Sequence, residues 1–235
     1  MVYDFMPADR WRFLGCHAAG CFGIKAGYGP PTLMKMRQIL SLLFPALLLM
    51  SATAQAKTAS KHEFITLGGG CFWCVEAVFQ RVPGVIKSVS GYSGGHKQNP
   101  TYEDICGHGT GHAEVVRLEF DPAVVSLDRI FEIFFEAHDP TTLNRQGADE
   151  GDQYRSVIFY DNEAQHQAAL KAKEKAQANW DDPIVTEIAA APKFWRAEDY
   201  HQDYFNQHPG QGYCVYVIKP KVDKLKKKGV ISEDK

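Results

Sequence analysis

The stretch Glu63-Phe64-Ile65-Thr66-Leu67-Gly68-Gly69-Gly70-Cys71-Phe72-Trp73-Cys74-Val75-Glu76 decides the fold. Its first five residues read as a short strand. Three glycines end that strand, and from Cys71 to Arg81 the spacing turns helical, with Val75, Val78 and Phe79 on one side. Pro83-Gly84 stops the helix, and Val85 to Ser90 reads as a second strand. Cys71 therefore stands where a glycine-rich turn feeds a helix. The free N–H groups and positive end of a helix favour an anion there. A thiolate at that place is expected to have a lowered pKa and to be reactive. The glycines, carrying no side chains, are expected to leave its approach open. The same position also admits a plainer reading, a buried apolar cysteine at a helix start.

Downstream, Gly91 to Gly111 reads as a long polar loop, a feature that in compact domains is usually functional. His112 to Phe120 is a third strand, closed by Asp121-Pro122. Ser126 is placed to cap a helix carrying Leu127, Ile130, Phe131 and Phe134. Asp139 to Gly151 is a second polar loop, and Ser156 to Tyr160 a strand. Asp161 or Asn162 caps a long helix with Ala164, Ala168, Ala172 and Ala176 in an i+4 stripe. Val185 to Ala189 is a further strand, and Ala190 to Tyr213 is aromatic and loop-rich. This order predicts an α+β fold: a two-layer sandwich with a split β-α-β (ferredoxin-like) core, helices on one sheet face, and a loop-rich C-terminal part.

The chain has 235 residues, 45% apolar and 23% charged, with a formal net charge of −2. Those values suit one globular domain with an N-terminal extension and offer no basic field for nucleic acid. Six lysines between Lys219 and Lys228 read as a solubilising, partly frayed end. Near the start, the basic Met34-Lys35-Met36-Arg37, the apolar run Ile39 to Met50 and the small-x-small site Ala54-Gln55-Ala56 follow the order of a bacterial-type secretory signal peptide. The run falls short of the about 20 residues a membrane span needs, so no stable span is expected after its removal. No cysteine follows the run, which argues against a lipid anchor, and Pro45 with the basic flank argues against a buried core helix. Residues 1–33 then read as a non-structural leader or a mis-assigned start, with translation beginning at Met34 or Met36. The reading is a signal peptide over 34–56, a single domain over 57–235, export to the periplasm, and a monomer.

Along the His112–Phe120 strand, side chains alternate between faces. Glu114 shares its face with Val116, Leu118 and Phe120, the more apolar side. Desolvation there raises a carboxyl pKa and keeps it protonated near neutral pH, which suits a general acid. The plainer reading is a strand-end glutamate turned to solvent or paired with a base. Phe72-Trp73 beside Cys71 are able to build a small apolar pocket, although such pairs are commonly core. The loops add Tyr92, Tyr102, Tyr154, Tyr204 and Tyr213, whose phenols donate hydrogen bonds without charge and suit a substrate with a polar, neutral oxygen.

Taken in order, these strings resemble one known family, the A-type peptide methionine sulfoxide reductases. Gly68 to Glu76 is similar to its signature. Thr110-Gly111-His112-Ala113-Glu114 resembles its second motif. His138 to Thr142, Arg145 to Asp149 and Gln153 to Ser156 resemble its third, and Tyr200 to Tyr204 with Gly212-Tyr213-Cys214 its C-terminal part. The resemblance spans roughly residues 62–220. It implies that Cys71 attacks the sulfoxide sulfur, that Phe72 and Trp73 hold the S-methyl group, and that Glu114 protonates the sulfoxide oxygen. It further implies that Tyr102 and Tyr154 hydrogen-bond that oxygen and that Asp149 helps hold the site. Tyr204 and Tyr213 complete the expected substrate-binding group. Reduction of methionine sulfoxide, protein-bound or free and of the S epimer, would release methionine and leave a Cys71 sulfenic acid. A second cysteine would then form a disulfide, and a thioredoxin-like donor, with no other cofactor and no metal, would reduce it. Many family members carry glycine where this chain has Cys74, so two residues compete as the resolving thiol. Cys214, flanked by Pro209, Gly210 and Gly212, is preferred as part of a mobile tail. Cys74 is nearer in sequence but is expected to point away.

Two rival readings remain. Cys71-Phe72-Trp73-Cys74 is formally a C-x-x-C motif, which fits a general dithiol oxidoreductase. Alternatively, Cys71, Cys74, Cys106, His108 and His112 offer ligand types for a zinc module, at irregular spacing.

Overall fold

The computed structural model describes residues 62–232, so the expected leader and signal peptide lie outside the described residues. In chain order the elements begin with β1 (Glu63–Gly68), α1 (Phe72–Phe79), β2 (Val85–Ser93), α2 (Tyr102–Cys106), β3 (Ala113–Phe120) and α3 (Leu127–Ala137). Then come β4 (Arg145–Gln146), β5 (Asp149–Glu150), β6 (Val157–Tyr160), α4 (Glu163–Gln177), β7 (Glu187–Ala190), β8 (Trp195–Arg196), α5 (Tyr204–Gln207) and α6 (Lys219–Lys227).

The six-stranded sheet runs β7-β6-β1-β3-β2-β8. Its four central strands, taken with α1 and α3, have the β-α-β-β-α-β order of the expected split core. β1 pairs antiparallel with both β3 and β6, and β2 pairs antiparallel with β3. The parallel β6–β7 pair is joined through α4, as a parallel connection requires.

Alternation along the strands divides the core. Ile65, Leu67, Val116, Leu118, Phe120 and Ile158 point to the side where α1 and α3 bring Phe72, Val78, Phe79, Ile130, Phe131 and Phe134. Ala113, Val115, Val157 and Phe159 point to the other, packed by Ala189, Ala191 and Phe194. Each fully buried large side chain contributes about 1.5–3 kcal/mol relative to exposure. The caps are those the sequence indicates: Ser126 Oγ accepts the Arg129 N–H, and Asn162 rather than Asp161 accepts the Gln165 N–H.

The structure departs from the pattern reading in four places. The expected 91–111 loop is shorter, because β2 continues to Ser93 opposite Ala113 and Thr101 starts α2 with a capping box to Asp104. Hydrophobic alternation does not mark that strand extension, and five-residue helices have no periodicity to read. The 139–151 loop contains the two-residue pairing of β4 with β5. On α4 the buried line is Gln165, Ala169 and Ala176, whereas Ala164 is exposed. The lysine-rich end is no frayed tail: it forms α6, whose Val222 and Leu225 are buried in the main core, while Lys219, Lys224 and Lys227 are exposed. Amphipathic spacing sits beneath the charge run there.

Candidate active site

The site forms where β1, α1, β3 and the C-terminal segment meet. Cys71 is the N-cap of α1, with φ −53 and ψ +125, and the helix begins at Phe72. The preceding glycines do not open an approach. All three are buried. A Cβ at Gly68 would lie 2.8 Å from Val157 and 2.9 Å from the Glu114 carbonyl oxygen. Gly70 has φ +92 and is covered by Gln146 at 2.6 Å from such a Cβ. Absent side chains here permit close backbone packing, which bring Cys71 down to 9% exposure.

Glu114 is 2% exposed and faces α1, on the face that alternation assigns it. Its Oε2 accepts the backbone N–H of Phe72 at 3.0 Å, so acid and nucleophile are separated by a single peptide unit. Burial pushes the carboxyl up to about 8, against the lowering effect of the Phe72 N–H, with Asp149 and Cys74 adding to the rise. At neutral pH this glutamate is a neutral acid.

The expectation of an acidified Cys71 thiol is corrected. Burial pushes its pKa well up, and the hydrogen bond to Cys74 and the nearby Glu114 add to that, outweighing the Trp73 N–H. The Cys74 thiol is instead lowered to about 7. The hydrogen bond from Cys71 is the largest cause, and Lys221 and Tyr213 add to it against burial. The two thiols form one coupled pair in which Cys71 holds the proton. The helix end supplies the field anticipated from sequence, but desolvation outweighs it. Cys74 also does not point away: its thiol meets Cys71 and lies 3.8 Å from the Tyr213 hydroxyl.

Aromatic side chains wall the site. Phe72 is buried and lies 5.8 Å from Tyr92 and 5.0 Å from His201, centroid to centroid. Trp73 stacks flat on Tyr204 at 3.7 Å with a 4° interplanar angle and meets Tyr213 edge-on at 6.0 Å. Tyr102 and Tyr154 are half-buried near Glu114. Burial is the first cause that raises both phenols, followed by the Cys106 hydrogen bond for Tyr102 and by Glu114 for Tyr154, so they stay protonated donors. Asp149 Oδ2 accepts the Tyr213 O–H at 2.5 Å, on the Cys74 side of the site. Tyr92 lies in β2 rather than a loop, and its hydroxyl donates to Glu198. Cys214 is fully buried in a short π-helical stretch, Cys214–Ile218, not in a mobile tail. Its neighbour in the site is Cys74, whose charge adds to the burial that raises it.

Three comparisons decide the family. The family model described as peptide methionine sulfoxide reductase matches residues 63–233. The chain belongs to that family. It is 55% identical over 172 residues to a peptide methionine sulfoxide reductase MsrA of Ralstonia nicotianae, covering 71% of this chain and 90% of that one. It is 54% identical over 165 residues to the MsrA of Saccharolobus solfataricus, covering 70% and 93%. Among solved structures, reduced Mxr1 from Saccharomyces cerevisiae matches with TM-score 0.63 and 35% identity, over 66% of this chain and 90% of that one. Methionine sulfoxide reductase A of Corynebacterium diphtheriae matches with TM-score 0.61 and 37% identity, over 68% and 80%. The protein is thus a peptide-methionine (S)-S-oxide reductase.

The zinc reading fails on ligand chemistry in this reductase. Both His112 ring nitrogens are engaged with backbone, Nδ1 by the Gly95 N–H and Nε2 by the Lys97 carbonyl, and Cys106 is exposed at the end of α2. The sequence reading gave no role to Glu198 and His201. Glu198 Oε1 accepts the Tyr102 N–H while its Oε2 takes the Tyr92 hydroxyl, tying α2 to β2. His201 Nδ1 accepts the Trp73 indole N–H at 3.2 Å. Burial lowers its pKa, leaving a neutral ring with its proton on Nε2. His201 stands inside a string already matched to the family, but nothing in its spacing signals a hydrogen bond to a residue 128 positions away.

Proposed function

We propose the following division of labour in sulfoxide reduction. The methyl group of the substrate lies against Phe72 and Trp73, and its oxygen meets Tyr102, Tyr154 and Glu114. Because the Phe72 N–H occupies Oε2 as acceptor, the proton of the neutral Glu114 resides on Oε1. Glu114 gives that proton to the sulfoxide oxygen. The Cys71 thiol proton passes to Cys74, whose sulfur already accepts its hydrogen bond. The Cys71 sulfur then bonds to the electrophilic sulfur, the protonated oxygen leaves that sulfur as hydroxide and bonds to the Cys71 sulfur, and the transient sulfur–sulfur bond breaks with its electron pair going to the thioether. The products are the thioether, a Cys71 sulfenic acid, a Cys74 thiol and a Glu114 carboxylate that regains a proton from solvent.

Cys74 resolves first in this reading, replacing the sequence preference for Cys214. Its thiol attacks the sulfenic acid, a Cys71–Cys74 disulfide forms, and water leaves. The observation that carries this is the contact of the Cys74 thiol with Cys71, whereas Cys214 neighbours Cys74. A thioredoxin-like dithiol then exchanges with the disulfide and is itself oxidised; the chemistry calls for no other cofactor. We further infer that the protein is exported through the 34–56 signal peptide to a bacterial periplasm and acts there as a monomer.

Single-turnover mass spectrometry tests the core of this scheme. Cys71→Ser yields no thioether from a methionine sulfoxide peptide. The wild type, quenched after one equivalent, carries a Cys71–Cys74 disulfide and a free Cys214. Thioether production by Cys71→Ser overturns the assignment of the nucleophile. The same sample reports the mature N-terminus, which is expected near Lys57.

A further inference from the structure

Glu76 is a second buried carboxylate, two residues beyond Cys74 and unused by the chemistry above. It is 2% exposed. Its Oε2 accepts the backbone N–H of Asp203 at 2.8 Å, and the amide of Tyr204 also bonds to it. A buried carboxylate persists only where hydrogen bonds replace water. Here those donors belong to a segment 127 residues away in sequence.

Asp203 has φ +54 and ψ +31, the left-handed region that costs a residue with a Cβ and needs outside support. Its Oδ1 accepts from Gln80 Nε2 at 2.9 Å and from Asn206 Nδ2 at 2.6 Å. Asn206 is held in turn by Arg81. Just before it, Gln202 brackets the Ser90 peptide, accepting its N–H and donating to its carbonyl. The residue after Asp203 is Tyr204, which opens α5 and lies flat on Trp73. α1 thus carries the pocket residue Trp73 near one end and, one turn on, the carboxylate that fixes the backbone under Trp73's stacking partner.

We propose that Glu76 is a positioning residue: its carboxylate holds the Asp203–Tyr204 backbone in the turn that lays Tyr204 on Trp73, and so sets the shape of the substrate's methyl pocket. This rests on the reading of Phe72 and Trp73 as that pocket. Glu76 touches neither substrate nor the reacting sulfur.

The test uses Glu76→Ala, Glu76→Asp and Glu76→Gln, with Trp73→Ala as the reference. Glu76→Asp keeps the carboxyl group but withdraws it by one methylene. Glu76→Gln keeps an oxygen that accepts the Asp203 N–H. KM for a methionine sulfoxide peptide is expected to rise roughly tenfold in the Ala and Asp variants, while the saturated first-turnover rate changes less than about threefold. The Gln variant stays within about twofold of wild type. Trp73 emission, taken as the difference from the same protein carrying Trp73→Phe, changes in the Ala and Asp variants and not in Gln. Unchanged KM and emission in Glu76→Asp, with KM raised in Trp73→Ala, overturns the role of Glu76 alone. Unchanged KM in Trp73→Ala overturns the pocket reading beneath it. If the Ala and Asp variants both fail to fold, Glu76 is a determinant of the fold and the positioning role is overturned.

Discussion

The Phe72 N–H donates to Glu114 Oε2, so the first helical residue after the nucleophile also orients the acid. Nucleophile and acid come from a helix cap and a strand packed across one core. Their relative position is set by fold packing rather than by a closing loop.

Replacing Glu114 separates orientation from proton transfer. Glu114→Gln keeps an acceptor for the Phe72 N–H but has no proton to give. Its first-turnover rate should fall by about 10²-fold or more. Glu114→Ala should fall further, because the Phe72 N–H is left unpaired as well. Rapid-quench measurement of thioether release distinguishes the two, and equal rates in wild type and Glu114→Gln would falsify the acid role.

The pH profile follows from the same group. Glu114 acts in its neutral form with a pKa of about 8, so the first-turnover rate should decline as pH rises through about 8. That limb should vanish from the residual activity of Glu114→Gln. A limb unchanged in the variant assigns it to another group.

Stability obeys the linkage in the same direction. The folded Glu114 pKa lies above the ordinary value of 4.5, so between those values the native state binds more protons than the unfolded one. Stability from this group is complete below pH 4.5 and is lost as pH rises through about 8. Glu114→Gln should therefore raise Tm relative to wild type at pH 8, with the difference shrinking towards pH 5. Thermal unfolding at the two pH values checks it, and a variant less stable at pH 8 refutes it.

The cysteine variants should differ in kind. Cys74→Ser, which also lacks the sulfur that takes the Cys71 proton, is expected to turn over once, more slowly than wild type, and to stop at a Cys71 sulfenic acid trapped by dimedone. Cys214→Ser is expected to form the Cys71–Cys74 disulfide and to recycle with a dithiol protein. Efficient recycling by Cys74→Ser, together with its loss in Cys214→Ser, reverses the order proposed here.

The C-terminal helix contributes to the core. Leu225 is 1% exposed, and Leu225→Ala should destabilise the domain by about 2–5 kcal/mol. Chemical denaturation reads this directly. A loss within about 0.5 kcal/mol, the range of surface substitutions, would mean the helix docks only weakly.

Much of this was legible in the sequence, and for physical reasons. β1, β3 and α3 announce themselves through alternation or helical spacing, and Ser126 and Asn162 through cap chemistry. The core-facing side of Glu114 follows from counting residues along a strand. What escaped the sequence depends on distant packing. No local pattern says that Gln146 would cover Gly70, that Glu198 would join α2 to β2, or that α6 would bury Val222 beneath its lysines. The sign of the Cys71 shift was missed for the same reason. The helix-end field is a local property, whereas desolvation depends on everything packed around the sulfur.

That sulfur rests protonated and almost out of reach. Bystander oxidants and alkylating agents are expected to react slowly with it, because burial keeps its thiolate form scarce. In the proposed step a bound sulfoxide accepts the Glu114 proton and presents an electrophilic sulfur, so attack waits on the substrate. Selectivity against unwanted chemistry at Cys71 thereby rests on its idle protonation state.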